Sequence, residues 1–238
     1  MRSEVLLNTM GLWSGYGGKP VLQGIDVEVK EGEIVAVIGR NGVGKSTLIK
    51  SLIGLLPADK GSIVFQGRTI DQVPAYHRAR LGIGYVPQGR DVFPRMTVLE
   101  NLIVGQSISR VPVPKDRIEE IFGYFPILKE RRDQRAGTMS GGQQQQLAIG
   151  RVLMGAPALI LLDEPSEGIQ PNIVQDIARI MVELNRKTGV TVVFVEQNID
   201  MIRAMAQRSY VIDKGRITAE ITIDMLEDRD TVRRYLSV

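Results

Sequence analysis

The sequence predicts an α/β protein in which antiparallel strands come first, a strand–loop–helix unit follows, and a helical insertion precedes a return to parallel strands. Three observations carry this prediction. Residues 25–30 alternate apolar and charged side chains, as a half-buried strand does. Ile34–Ile38 and residues 190–195 are continuous runs rich in β-branched side chains, typical of parallel strands covered on both faces. Residues 89–155 show helical periodicity and little strand signal.

The composition excludes several classes of protein. The 238 residues include 30 Lys and Arg, 27 Asp and Glu and no Cys, so the formal net charge is +3. With 43% apolar and 24% charged residues, the chain is neither disordered nor a disulfide-stapled module. The absence of Cys removes thiol catalysis and Cys-based zinc sites. The small basic excess, without a block of five basic residues, argues against a nucleic-acid partner.

No stretch of the sequence offers the roughly 18–20 consecutive apolar residues that a membrane-spanning helix needs. Residues 1–10 carry Glu4 and lack a long apolar segment, so we do not expect them to act as a secretory signal peptide. The chain is therefore expected to span no membrane itself.

The remaining elements follow from local patterns. Strands are expected at 62–66 and 159–162, and a hairpin at 210–217. A helix at 171–187 begins with Pro171, which suits a first turn, and stops at Gly189. A polar helix is expected after Ile223, and residues 111–114, with two prolines, break the helical insertion. The other helices are expected at 46–56, 98–104, 117–125 and 141–153.

A phosphate-binding loop is the most specific feature. The segment from Gly39 to Ser46 reads GRNGVGKS and matches G-x-x-x-x-G-K-[ST] in full. It follows a buried strand and opens a helix, so backbone N–H groups and the positive helix end face an anion. Lys45 can reach the β- and γ-phosphates and Ser46 can ligate Mg²⁺. The expected nucleotide-binding residues are Gly39, Asn41, Gly42, Val43, Gly44, Lys45, Ser46 and Thr47.

A second candidate site lies where the apolar run 159–162 ends in Asp163 and Glu164. Ligands of open α/β sheets bind at the carboxyl ends of strands, which is where this acid pair is expected. Asp163 is expected to hold Mg²⁺ through water. Glu164 is expected to orient the attacking water or accept its proton. Together with the phosphate loop, these acids indicate a P-loop NTPase with a RecA-like core.

The segment 139–144, MSGGQQ, resembles the LSGGQ signature of ATP-binding-cassette (ABC) ATPases, with Met in place of the usual Leu, and precedes the acid pair at that family's spacing. The resemblance covers nearly all of residues 4–220. It implies a single ABC ATPase domain over residues 1–238. Its core is expected at 1–88 and 156–238, with an N-terminal antiparallel β subdomain and an inserted α-helical signature subdomain at about 89–155.

The same resemblance assigns further residues. Gln88 resembles the Q-loop glutamine that senses Mg²⁺ and faces the transmembrane partner. Tyr16 resembles the aromatic residue that stacks on adenine, with Trp13 as the competing candidate. Residues 166–169 resemble the D-loop, although Glu167 and Gly168 depart from the commoner SALD. The implied metal ligands are Ser46, Gln88 and Asp163. The signature residues expected to cap ATP held by the opposite subunit are Ser140, Gly141, Gly142 and Gln143.

One position departs from the family pattern. Gln197 stands where a switch histidine is expected, and the only histidine, His77, lies in a polar stretch far from it. Glutamine can donate an N–H to a phosphate oxygen but cannot carry a proton. Gln197 is either a working neutral substitute, which we favour, or the mark of a weak site. The expected catalytic set is Glu164, Gln197, Gln88 and Lys45.

The resemblance is greatest to importer subunits for branched-chain amino acids and for urea or short amides, with the urea type first. It implies binding and hydrolysis of ATP with Mg²⁺ by a peripheral protein at the cytoplasmic face of the inner membrane. The implied partners are transmembrane permease subunits, a second ABC ATPase subunit in a homo- or heterodimer and, indirectly, a periplasmic or extracellular substrate-binding protein. A catalytically weak regulatory subunit and a non-transport ABC ATPase stay as alternatives.

Overall fold

Two β-sheets organise the fold, and the computed structural model describes residues 4–109 and 113–228. In chain order the strands are β1 (Val5–Tyr16), β2 (Lys19–Lys30), β3 (Ile34–Ile38), β4 (Lys60–Phe65), β5 (Arg68–Thr69), β6 (Ile83–Val86), β7 (Leu159–Asp163), β8 (Thr191–Glu196), β9 (Arg208–Asp213) and β10 (Arg216–Thr222). The first sheet is antiparallel with the order β2-β1-β4-β5. The predicted antiparallel opening of the chain is therefore confirmed, although β1 and β2 are longer than the alternating segment suggests.

The second sheet has six strands in the order β10-β9-β3-β8-β7-β6. Its strands pair in parallel except for β10, which is antiparallel to β9. Alternate residues of β3 belong to two apolar clusters on opposite faces: Ala36 packs with one and Val37 with the other. The same alternation occurs in β7 and β8, so the prediction of strands covered on both faces is confirmed.

Eight α-helices occur among the described residues. They are α1 (Lys45–Ile53), α2 (Ala75–Leu81), α3 (Val98–Gln106), α4 (Arg117–Tyr124), α5 (Pro126–Glu130), α6 (Gly141–Leu153), α7 (Pro171–Thr188) and α8 (Ile199–Met205). Helices α3 to α6 lie between β6 and β7, and the described part of this segment adds no strand to either sheet, as the helical insertion predicts. No helix within the described ranges is both long and apolar enough to cross a membrane.

The short helix α2 was not predicted, yet it anchors the end of α1. Its Arg78 is fully buried, and the guanidinium donates to the backbone carbonyls of Ser51 and Leu52 at 2.8 and 2.9 Å. A cation at the carboxyl end of a helix satisfies its unpaired carbonyls and complements its dipole. A seven-residue helix lacks the several turns of periodicity needed for prediction, so this contact is found only in the structure.

The C-terminal prediction is only partly testable. Asp224–Glu227 forms a 3-10 turn in place of the start of a polar α-helix. The rest of the expected helix lies in residues 229–238, outside the described part of the chain. The predicted break at 111–114 also falls partly outside it, because residues 110–112 are not described.

Parallel pairing brings three strand ends to one edge of the six-stranded sheet. In the register, Ile38 of β3 lies opposite Glu196 of β8, and Asp163 of β7 lies opposite Val195. The loops that follow β3, β7 and β8 therefore leave the sheet at the same level. These loops carry most of the residues that the sequence singles out.

Candidate functional site

The loop after β3 is shaped to receive an anion. It ends at Gly44, the residue before α1, whose φ of 114° lies in the left-handed region that favours glycine. No side chain caps this end of α1, and its first turn holds no acidic residue. At Gly39 a Cβ atom would lie 2.3 Å from the carbonyl oxygen of Ile212, so the loop can pass only as glycine. The amino end of α1 thus offers uncapped N–H groups to a ligand.

Lys45 lies beneath this loop with its side chain folded back. It is only 4% exposed, and its Nζ donates to the carbonyl oxygens of Gly39 and Arg40, both at 2.9 Å. The same Nζ lies 3.6 Å from Oε1 of Glu164. Burial lowers the pKa of Lys45, while the charge of Glu164 opposes that shift. The buried Lys45 ammonium group thus binds two carbonyl oxygens of the loop and is available to bind a phosphate group.

Two of the three residues expected at the magnesium ion, Ser46 and Asp163, meet in a way that fits a metal. Ser46 Oγ donates to Oδ1 of Asp163 at 2.8 Å. The other carboxylate oxygen, Oδ2, is buried and has no hydrogen-bond partner. Burial raises the pKa of Asp163, which is 2% exposed, although the Ser46 hydrogen bond opposes the shift. A buried carboxylate oxygen without a hydrogen-bond donor is available to ligate a hard cation such as Mg²⁺.

The protein offers this cation few ligands. The described residues contain no cluster of three or more His, Cys, Asp or Glu side chains that could enclose a metal ion. Mg²⁺ commonly binds through one or two protein ligands, with phosphate oxygens and water completing the octahedron. Ser46 and Asp163 are consistent with that arrangement.

Glu164 stands at the centre of the site in a strained conformation. Its φ is 47°, in the left-handed region, and its backbone N–H donates to the Val195 carbonyl at 3.0 Å. Few non-glycine residues adopt this region, and strained backbone of this kind is concentrated at functional sites. Gln197 Nε2 lies 3.2 Å from Glu164 Oε1 and 2.6 Å from Asn41 Oδ1. The structure thus places Gln197 between the proposed base and the phosphate loop.

Gln88 joins this group from the other side. Its Nε2 lies 3.5 Å from Glu164 Oε2 and donates to Glu167 Oε2 at 2.9 Å. Arg90, two residues further on, donates to the Glu167 carbonyl at 2.9 Å. The side chains of Gln88 and Arg90 therefore both bind Glu167, a position where the sequence departs from the D-loop pattern that it otherwise resembles. Burial and the nearby charge of Asp163 raise the pKa of Tyr85, which precedes this loop on β6.

The signature residues lie at the start of α6 and are engaged with one another. Ser140 Oγ accepts from the Gln143 N–H at 3.4 Å, and Gln143 Oε1 accepts from the Ser140 N–H at 3.0 Å. This reciprocal pair is a capping box. A Cβ at Gly141 would lie 3.1 Å from the Arg90 guanidinium. Within one chain, the phosphate loop and the signature residues lie at the starts of two different helices, α1 and α6. Arg90 lies next to Gly141 and also donates to the Glu167 carbonyl.

The two candidate adenine-stacking residues differ in availability. Tyr16 lies at the tip of the β1–β2 hairpin and is 48% exposed. Trp13 is covered by Lys60, whose Nζ is 5.6 Å from the ring centroid. Close to this tip, the Val21 side chain lies 3.4 Å from where a Gly44 Cβ would be. Tyr16 is therefore the freer ring near the phosphate loop.

His77, the only histidine of the sequence, is exposed, and its ring centroid lies 4.1 Å from that of Tyr76. It is placed as an ordinary surface residue would be.

Sequence reasoning gave no role to Glu196, the last residue of β8. Its carboxylate is 3% exposed and accepts three backbone N–H bonds, including those of Ser166 and Gln197. The signal was present, because β8 is an apolar run that ends in an acid, just as β7 ends in Asp163.

Comparison with known proteins places the chain in a family. A profile described as ABC transporter matches residues 22–167. BraG of Pseudomonas aeruginosa, a "High-affinity branched-chain amino acid transport ATP-binding protein", is 48% identical over 207 residues, 87% of this chain and 88% of BraG. LptB of Escherichia coli strain K12, a "Lipopolysaccharide export system ATP-binding protein", is 35% identical over 234 residues, covering 97% and 96% of the two chains.

The fold agrees with a solved member of this family. The ADP conformation of MJ1267, an ATP-binding cassette of an ABC transporter, matches with a TM-score of 0.82 and 31% identity, covering 97% of this chain and 98% of that one. The predicted fold class is therefore confirmed. The residues matched by the family profile include the phosphate loop, the signature and the acid pair. The chain belongs to the ABC transporter family, as an ATP-binding cassette.

Proposed function

We propose that this chain hydrolyses MgATP and thereby powers an importer of branched-chain amino acids. The observation that carries the hydrolytic part is the position of Glu164, whose Oε1 lies 3.6 Å from Lys45 Nζ and 3.2 Å from Gln197 Nε2. A carboxylate in a strained conformation beside a phosphate loop has the surroundings that a base for an attacking water requires.

Each side chain has one role in this proposal. Glu164 directs the water and accepts its proton, and Lys45 leaves its loop carbonyls to meet the β- and γ-phosphates. Gln197 donates from its amide to the γ-phosphate and fixes the Glu164 carboxylate. Ser46, Asp163 and Gln88 hold Mg²⁺, which when bound neutralises charge on the phosphates. Catalysis then rests on positioning and electrostatics, as phosphoryl transfer generally does.

A second ATP-binding subunit completes the site. The signature residues Ser140 to Gln143 open α6, whose N-terminal end carries a hydroxyl and free N–H groups suited to an anion. The phosphate loop of the same chain lies at the start of a different helix, α1. We propose that the signature of one subunit closes over the ATP held by the other, so nucleotide favours the closed dimer and hydrolysis releases it. The partner is a second copy or a related cassette.

An apolar groove supports docking of a permease. Its volume is about 360 Å³ and it lies between α2, β6 and α3. Leu55, Tyr76, Phe93 and Ile108 line it and are exposed. The strand β6 forms one wall and leads directly into the loop that holds Gln88. A permease helix in this groove would place the chain at the cytoplasmic face of the inner membrane, with a substrate-binding protein acting on the permease's far side.

The cargo proposal departs from the order that the sequence suggests. Subfamily motifs put urea or short amides first, whereas the relative at 48% identity carries a branched-chain amino acid description. LptB has a different role at 35% identity over a longer span, so similarity at that level does not decide the cargo. We therefore take branched-chain amino acids as the cargo class and keep urea as the competing one.

A catalytically weak regulatory subunit is the second candidate, because Gln197 replaces the expected histidine. The contacts of Gln197 favour an active site instead, since its amide already bridges Asn41 and Glu164. Steady-state ATPase activity of the purified chain, alone and with its permease, separates the two. A non-transport ABC ATPase would copurify without membrane subunits.

Uptake in cells deleted for this chain tests the proposed function. Labelled leucine uptake should fall to background while labelled urea uptake is unchanged. The intact gene should restore leucine uptake, a Lys45→Ala gene should not, and a Lys60→Ala gene should, because Lys60 lies on β4 over Trp13. Loss of urea uptake with normal leucine uptake would make urea the cargo class in place of branched-chain amino acids. Normal uptake of both would reject both cargo classes.

A further inference from the structure

Glu196 is a buried carboxylate that joins two loops of the site. Its Oε2 accepts from the backbone N–H of Ser166 at 3.1 Å, in the turn after Glu164. Its Oε1 accepts from the backbone N–H groups of Gln197 at 2.7 Å and Asn198 at 3.0 Å. The two oxygens of one side chain thus hold the turn after β7 and the turn after β8.

Glu196 does more than accept hydrogen bonds from the residues that follow it in the chain. Asn198 already has a task, since its own side chain caps α8. A serine or threonine has a single side-chain oxygen, whereas here one oxygen accepts from each turn. Burial of a carboxylate costs free energy unless several donors compensate it. The three N–H groups supply that compensation and at the same time fix the spacing of the two turns.

The two turns carry the reacting side chains. Glu164 lies two residues before Ser166, and the Glu167 N–H donates to the Glu164 carbonyl at 3.1 Å, so this turn is a single hydrogen-bonded unit. Gln197 follows Glu196 directly. The contact of 3.2 Å between Gln197 Nε2 and Glu164 Oε1 therefore spans two backbones that Glu196 ties together.

We propose that Glu196 is a positioning residue for ATP hydrolysis: its carboxylate holds the 165–168 turn and the 197–198 turn at a fixed separation, which keeps Gln197 aligned on Glu164. This inference rests on the proposed hydrolytic function. Arg90 and Gln88 bind the same 165–168 turn through Glu167, so the position of that turn also depends on the Q-loop. Glu196 passes any displacement of the turn to Gln197.

Glu196→Gln tests the proposal with little change in shape. The amide oxygen can still accept from Gln197 and Asn198, but the NH₂ group would face the Ser166 N–H, donor against donor. We expect kcat to fall about fivefold, less than the loss for Gln197→Ala, because a small displacement of reacting groups is costly. The KM for ATP and the affinity for ADP should stay within about twofold of wild type.

A double-mutant cycle separates positioning from general destabilisation. If Glu196 acts through Gln197, then Glu196→Gln should have little further effect on kcat in a Gln197→Ala background. Multiplying effects in the double variant would overturn the proposal, as would a Glu196→Gln chain with wild-type kcat. Glu33→Gln is the matched control, because Glu33 is a partly buried carboxylate paired with Arg208, and its kcat should be unchanged.

Two further arms keep the test decisive. Should Glu196→Gln fail to fold, Glu196→Asp keeps the charge but has a shorter reach, and the same fall in kcat at constant KM is expected. Wild-type chain without ATPase activity would reject the proposed function, and the positioning role with it. An active wild type with an unaffected Glu196→Gln variant would reject the positioning role alone.

Discussion

The amino ends of α1 and α6 are built differently, although each is proposed to meet a triphosphate, α1 that of its own chain and α6 that of the partner subunit. At α1, Gly44 provides no side-chain cap, and the first turn is free of acids. At α6, Ser140 and Gln143 form a complete capping box. One helix end is left for a ligand to cap, and the other is capped by its own sequence.

The difference suggests a division of labour. Because α1 has no cap, its N–H groups gain most from a bound phosphate, and Lys45 lies beside them. In α6 the Ser140 oxygen accepts from Gln143, which leaves the hydroxyl hydrogen free to donate to an anion from outside. The α1 end is therefore suited to bind nucleotide within one chain, and the α6 end, whose shape its own capping box maintains, is the one proposed to meet phosphate held by a partner.

Glu164→Gln should give the largest effect. We expect kcat to fall about 10²- to 10⁴-fold, because a general base typically contributes that much, while ATP binding persists. Trapped ATP should then hold two chains together, seen as a dimer by size-exclusion chromatography with MgATP. Glu183→Gln, at an exposed ion pair with Lys187 on α7, is the control and should keep its activity. Near-normal turnover of Glu164→Gln would remove it as the base.

Lys45→Ala tests the α1 end directly. Removal of a buried cation that can form two charge-assisted bonds should weaken ADP and ATP binding about 100-fold, at roughly 1.5 kcal/mol for each bond. Isothermal titration calorimetry measures the affinity. Lys60→Ala is the control, since this exposed lysine lies over Trp13. Unchanged affinity in Lys45→Ala would mean that phosphate binds elsewhere.

Ser140→Ala tests the α6 end. Loss of one hydroxyl donor to a charged phosphate, about 1.5 kcal/mol, should lower ATPase activity about tenfold, with nucleotide affinity of the single chain unchanged. Because the site is shared, specific activity should also rise with protein concentration. The control is Thr97→Ala, which breaks the equivalent capping box of α3 at a similar stability cost of about 1 kcal/mol. Equal losses of activity in both variants would reduce Ser140 to a helix cap.

Gln197→Ala should give an effect no larger than that of Ser140→Ala. Its amide donates to charged acceptors, a contribution of about 1.5 kcal/mol, so we expect kcat to fall about tenfold, with Gln197→His tolerated. Steady-state phosphate release measures this. For both Gln197→Ala and Gln197→His, the midpoint temperature of thermal unfolding is the control, and it should change little. A Gln197→Ala chain with full activity would show that this glutamine does not replace the switch histidine.

Much of the site was predictable because its residues lie in short, contiguous patterns. The phosphate loop, the acid pair after β7 and the signature each depend on neighbours in sequence. The contact between Gln197 and Asn41 joins residues 156 positions apart, and no local pattern predicts it. The same holds for Arg78, which caps α1 from a helix too short to be seen in the periodicity.

The sequence by itself determined the class of fold, the phosphate loop, the acid pair and the signature segment, because each depends on hydrophobic period or on residues that are close neighbours in the chain. Only the tertiary structure decided which side chains meet. Parallel pairing of β3, β8 and β7 aligns their ends and brings Glu164 to Lys45 and Glu196 to Ser166. Such distances depend on strand register and loop closure over the whole sheet, which no local segment specifies.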